Sequence, residues 1–128
     1  MTMTTIRTDA APAAVGPYSQ AVRSGHLLFV SGQLPIDPAT GAFPGNDIVA
    51  QAEQALTNVA AILEAAGSSI DRVVKTTVLL ADIADFDRVN EVYGRFFTGA
   101  VLPARAAYQV AALPKGARIE VELIAEAS

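Results

Sequence analysis

Residues 47–66 read DIVAQAEQALTNVAAILEAA, and the order of their side chains predicts an amphipathic helix. Ile48, Ala52, Ala55, Leu56, Val59, Ile62, Leu63 and Ala66 recur at spacings of three and four, which stacks them on one face. Gln51, Glu53, Gln54, Thr57, Asn58 and Glu64 fall on the other side. Asn46 or Asp47 caps the start, and Gly67 ends the helix in the left-handed conformation that glycine tolerates. A helix with a single apolar face needs a sheet to cover.

The flanking sequence offers strands. Tyr18 to Arg23 and Leu27 to Leu34 surround Ser24-Gly25-His26 and read as a β-hairpin, followed by a proline- and glycine-rich loop over residues 35–46. VVKTTVLLA, residues 73–81, is β-branched and apolar, as expected of a strand buried on much of both faces. Asp85 caps a second helix whose inward stripe is Phe86, Val89, Tyr93, Phe96 and Phe97, with Thr98-Gly99 and Pro103 closing it off. Ala104 to Ala112 and Ala117 to Ala125 are the last strands. They are expected to pair as a hairpin through Leu113-Pro114-Lys115-Gly116.

This order predicts a two-layer α/β (α+β) sandwich in one domain, residues 1–128, with a mixed sheet of about six strands and both helices on one face. The other sheet face would lie bare. Leu27 to Val30 and Ile119 to Ala125 are too apolar for that, so further copies of the chain are expected to cover it.

Composition narrows the chemistry. The chain has 128 residues, 52% hydrophobic and 17% charged, enough to build a packed core without a disulfide or metal staple. No cysteine is present, which removes thiol nucleophiles and cysteine metal sites and fits a reducing cytoplasm. The single histidine, His26, sits in a turn and is read as solvated. A net charge of −4 without a basic cluster disfavours nucleic acid, and neither an apolar span nor a signal-peptide pattern suggests a membrane or secretion. No GxGxxG, GxxxxGK[ST] or HExxH motif points to a cofactor or metal, and Asp82, Asp85 and Asp87 are read as helix-start carboxylates.

Polar residues inside apolar strands remain: Ser31, Arg105, Glu120 and Glu122. Strand alternation puts Ala117, Ile119, Val121, Leu123 and Ala125 on one face of the last strand and Arg118, Glu120, Glu122 and Ile124 on the other. In the expected hairpin, Arg105 would share the face of the glutamates. Two readings are open: a structural ion pair at a subunit interface, or an arginine that binds a ligand carboxylate while a glutamate handles protons. Ser31-Gly32 and Tyr18 are equally open between structural and ligand-facing roles.

The segments GPYSQA (16–21), SGQLPIDPATG (31–41), VVKTTVLLADIADFDRVNEVYGRFF (73–97) and PARAAYQVAALPKGARIEVELIA (103–125), with the helix above, strongly resemble the RidA/YjgF family of reactive-intermediate deaminases. The resemblance runs from Ala10 onward. It implies a chorismate-mutase-like fold, a homotrimer with clefts between subunits, and hydrolysis of 2-imino acids, such as the tautomer of 2-aminoacrylate, to 2-keto acids and ammonia without a metal or organic cofactor. By the same resemblance Arg105 clamps the substrate carboxylate, Glu120 activates water, Tyr18, Ser31 and Gly32 line the cleft, and Asn90 fixes its ligand-facing loop. Many members carry cysteine at the position of Ala107, where only backbone contact is left, and the loop between Phe97 and Pro103 is short. A non-catalytic carboxylate sensor or holdase, and a ribonuclease or translation inhibitor, are the competing functions.

Overall fold

In the computed structural model, which describes residues 2–127, the chain forms β1 (Met3–Ile6), β2 (Ala21–Ser24), β3 (Leu27–Gln33), α1 (Ile48–Ala65), β4 (Val73–Leu80), α2 (Phe86–Phe96), β5 (Ala104–Gln109) and β6 (Ile119–Glu126). The strands make a six-stranded sheet in the order β1-β2-β3-β6-β4-β5, mixed because β4 and β5 are parallel and the other neighbours antiparallel. The expected mixed sheet with two helices is therefore present. It includes β1, an edge strand that the sequence reading had not placed. No helix among the described residues is long and apolar enough to cross a membrane.

α1 forms where its periodicity put it. The Asp47 carboxylate accepts from the Ala50 N–H, and Gly67 follows the helix at φ +76°. Its apolar stripe packs with Leu28 and Val30 of β3 and with Ile119, Val121, Leu123 and Ala125 of β6. Val89 and Val92 of α2 join the same core. Gln51 and Asn58, expected on the polar side, are instead fully buried. The Asn58 amide donates to the Leu34 and Ile36 carbonyls, while Gln51 donates to the Gly45 carbonyl and accepts from the Arg118 N–H. These amides enter the interior because the long loop brings carbonyls that would otherwise lack donors there.

The last two strands are not a hairpin. β6 is inserted between β3 and β4, and β5 reaches the far edge through the α2 crossover, which runs it parallel to β4. Their compositions explain the exchange. β6 buries every second residue under α1 and belongs in the centre, whereas β5 is largely exposed and tolerates an edge. Thr76 consequently lies beside both Arg105 and Leu123, and Leu79 beside both Glu120 and Tyr108. Arg105 thus projects with Thr76 on the helix face, and the two glutamates project from the opposite face.

Asp85 also departs from expectation. It makes no side-chain cap, and Asp82 caps the preceding turn through the Ala84 N–H. The Asp85 carboxylate is 1% exposed and accepts from Arg118 at 2.9 Å and from Arg88 at 3.0 Å. Arg118 donates further to the Asn46 carbonyl, so one buried acid ties the start of α2 to the residue that leads into β6 and to the 35–46 loop. Asp85→Asn should lower stability by about 1–3 kcal/mol, the modest end for breaking a buried ion pair, since both arginines can still reach water. Urea unfolding at neutral pH measures it.

Candidate functional site

Arg105 leaves the edge strand β5 beside α2. Its Nη1 donates to Asn90 Oδ1 at 2.6 Å, and its guanidinium carbon lies 4.8 Å from the centre of the Tyr93 ring and 5.3 Å from that of Phe86. Phe86, Asn90 and Tyr93 are four and three residues apart, so one stripe of α2 makes all these contacts. Among the described residues, no carboxylate lies within ion-pairing distance of Arg105. The guanidinium is permanently charged, and Asn90 occupies only part of its donor set. It is exposed, with donors left for a ligand.

Tyr93 is itself fixed. Its hydroxyl is 2.7 Å from the hydroxyl of the buried Thr76, and its ring stacks on Phe97 at 4.3 Å. Burial pushes the phenol pKa up, against smaller opposing effects of the Thr76 hydrogen bond and the Arg105 charge. The phenol therefore stays protonated at neutral pH.

A second group of residues gathers on the other side of the sheet. Glu120 is half-buried on β6 and lies over Gly32, where a Cβ would come within 2.8 Å of its Cδ and Oε2. Gly32 sits where the β3–β6 register shifts between Val30 and Gln33, and that irregularity opens room for the carboxyl group. Ser31 beside it donates its hydroxyl to the Ser19 carbonyl at 2.6 Å and its N–H to the Gln20 carbonyl, which holds the segment carrying Tyr18 against β3. Tyr18 is 53% exposed, and its Oη accepts a long 3.4 Å contact from the Val15 N–H. Burial raises the Glu120 pKa above that of a free glutamate, and the Glu122 charge adds to the effect. A carboxylate shielded this way is a better proton acceptor than a free glutamate.

The site residues chosen from the sequence thus fall into two halves: Tyr18, Ser31, Gly32 and Glu120 in one, Asn90 and Arg105 in the other. Asn90 lies within α2 and holds Arg105 directly. Ala107, on the same face of β5 as Arg105, packs its methyl against the core. Phe86 and Tyr93 were read from the sequence as core, and Thr76 was assigned no part at the site. Their spacing to Asn90 was visible, but the partner strand was not. The open sheet face forms a groove of about 410 Å³ lined by Val22, Phe29, Ser31, Lys75, Thr77 and Glu122 among others. Leu27 and Phe29 are exposed there, so in the single chain this face is bare, as expected. Among the described residues, no three His, Asp or Glu side chains gather closely enough to ligate a metal ion.

A mixed six-stranded sheet with two helices defines a small α+β fold. The chain belongs to the YjgF/RidA family, whose profile, described as endoribonuclease L-PSP, matches residues 8–127. It is 59% identical over 119 residues to the RutC family protein y4sK of Sinorhizobium fredii, covering 93% of this chain and 94% of that one. It is 56% identical over 120 residues to the 2-iminobutanoate/2-iminopropanoate deaminase of Mus musculus, covering 94% and 88%. The crystal structure of the Rid-family protein YyfA from Yersinia pestis matches with a TM-score of 0.95 at 45% identity, covering 98% of this chain and 99% of that one.

Two outcomes follow from this geometry. Gly32→Ala should displace the flexible end of Glu120 while leaving the fold intact, at a cost of about 1 kcal/mol. In carboxyl NMR the Glu120 titration should then move towards the ordinary glutamate value. A carboxyl whose pKa is raised on folding favours the native state fully below its unfolded pKa and loses that contribution as pH rises through the folded pKa. Glu120→Gln should therefore be more stable than the wild type at pH 7, with the gap closing as acid protonates Glu120. Denaturant titrations at neutral and acidic pH measure the difference.

Proposed function

We propose that the protein is a 2-iminobutanoate/2-iminopropanoate deaminase, a hydrolase of C=N bonds that converts 2-imino acids derived from enamines such as 2-aminoacrylate into 2-keto acids and ammonia. The observation that carries this reading is the Arg105 guanidinium, which is oriented by Asn90 and lacks a carboxylate partner among the described residues. Such a cation recognises a planar carboxylate through paired hydrogen bonds. Relatives carrying the deaminase name at more than half identity support the choice of substrate.

The reaction asks little of a cofactor, because an imine carbon is already electrophilic. Arg105 anchors the carboxylate and fixes the adjacent C=N carbon. Glu120 accepts a proton from water as its oxygen bonds to that carbon and passes this proton to the nitrogen, giving a neutral carbinolamine. It then takes the hydroxyl proton and delivers it to the amino nitrogen as the C–N bond breaks, the C=O bond forms and ammonia leaves. Tyr18, Ser31 and Gly32 wall the cleft, and the Ala107 backbone faces it.

Arg105 and Glu120 leave opposite faces of one sheet, so we place the complete cleft between two copies of this single-domain chain. The arrangement is a homotrimer whose bare sheet faces turn inward, working in the cytoplasm to protect pyridoxal-phosphate enzymes from reactive enamines. The exposed Leu27 and Phe29 support burial of that face. The endoribonuclease description of the family fits this chain less well, since its net charge of −4 opposes a phosphate backbone.

The decisive assay generates imines enzymatically from serine or threonine and follows keto-acid release. Wild-type protein should accelerate it, and Arg105→Ala should lose at least about 30-fold in kcat/KM, equivalent to ~2 kcal/mol. Mixing unfolded Arg105→Ala and Glu120→Ala chains before joint refolding should restore about a quarter of the activity, because random assembly rebuilds that share of intersubunit clefts. Keto-acid binding without acceleration would mark a sensor instead.

A further inference from the structure

We propose that Phe86 and Tyr93, latched by Thr76, are positioning residues that fix the direction in which Arg105 presents its free donors to a substrate carboxylate. This rests on the deaminase reading and adds to it three side chains that do not themselves touch the substrate.

Arg105 stands on an edge strand and is exposed. An unrestrained arginine there would sample many rotamers, and binding would have to order it. The structure restrains it by aromatic rings, at 4.8 Å from Tyr93 and 5.3 Å from Phe86, and by a hydrogen bond to Asn90. An acidic partner would hold the same group more strongly, but it would also occupy the donors and cancel the charge that a ligand carboxylate needs. Aromatic faces attract a guanidinium without doing either.

The cradle is rigid because its walls are tied down. Phe86 begins α2 directly after Asp85, the buried carboxylate held by Arg88 and Arg118. Tyr93 is clamped between its hydrogen bond to Thr76 at 2.7 Å and the Phe97 ring at 4.3 Å. Thr76 is also the cross-strand neighbour of Arg105. The chain from β5 through the guanidinium to Tyr93 and back to β4 therefore closes on itself. Any rotation of Tyr93 would move a wall of the cradle relative to the strand that carries Arg105.

The test uses the full-length chain and the variants Phe86→Leu, Tyr93→Leu, Tyr93→Phe and Thr76→Val, with two readouts. In 15N-resolved NMR the Arg105 Nε–H signal of the wild type should be shifted by the rings, and Phe86→Leu and Tyr93→Leu should return it towards the position of a solvated arginine. Both should raise KM for the imino acid about three- to tenfold while kcat stays within about twofold, as for lost ground-state positioning. Tyr93→Phe keeps the ring and loses only the latch, so it and Thr76→Val should give smaller shifts of matching size. Should Tyr93→Leu fail to fold, the two latch variants carry the test. Unchanged KM and an unchanged Arg105 signal in the folded variants would overturn the proposal, as would losses that follow thermal stability alone. A wild type that fails to hydrolyse imines defeats the deaminase reading separately, and the ring-induced shift of Arg105, present or absent, still decides whether the cradle exists.

Discussion

The parallel pairing of β4 with β5 governs what this chain can place where. Because α2 connects two strands that run the same way, β5 reaches the sheet edge with Thr76 beside Arg105 and with Thr77 beside Ala106. β6 then fills the space between β3 and β4, pairing Leu79 with Glu120 and Thr77 with Glu122. Strand alternation does the rest, sending the arginine towards α2 and the glutamates away from it. A one-residue slip of β6 would turn its core side outward, and one in the β4–β5 ladder would turn Arg105 to the glutamate face. The register is held by Ile119, Val121, Leu123 and Ala125, all buried beneath α1.

Much of this was legible locally. α1 was visible to within a residue at each end because its apolar period, its Asp47 cap and its following glycine all agree. The alternation of β6 was equally plain. The strand order was not legible, because adjacency in sequence favours a hairpin between β5 and β6, and only the competition of all strands for the central positions decides against it. Gln51, Asn58 and Asp85 were misplaced for a related reason. Polar side chains become interior when carbonyls or guanidinium groups from distant segments meet them, and a periodicity within one helix carries no trace of those partners.

The candidate site shows the same division. Arg105 stood out in the sequence as a cation in an apolar strand, and the structure gives it surroundings other than the glutamates expected beside it. Its neighbours within the chain are an amide and two aromatic rings from α2. Gly32 was left open between a structural and a ligand-facing role, because its close approach to Glu120 depends on the β3–β6 register. Residue type could suggest the chemistry, whereas cross-strand geometry determined which groups share it.

Keeping the arginine and the glutamate on opposite faces also has an electrostatic consequence. Had one chain brought them together, each would have answered the other, lowering the carboxyl pKa and occupying the guanidinium donors. Separation leaves Glu120 under the influence of burial and of Glu122, both of which raise its pKa, and leaves Arg105 with its charge intact. In the proposed intersubunit cleft the two would face each other across a ligand instead of across a salt bridge. The substrate carboxylate would then meet the cation, while the glutamate, held away from that cation by the substrate, keeps enough basicity to accept a proton from water. The fold supports this division with no charged side chain among the described residues committed to holding Arg105 in place, since an amide and aromatic rings perform that task.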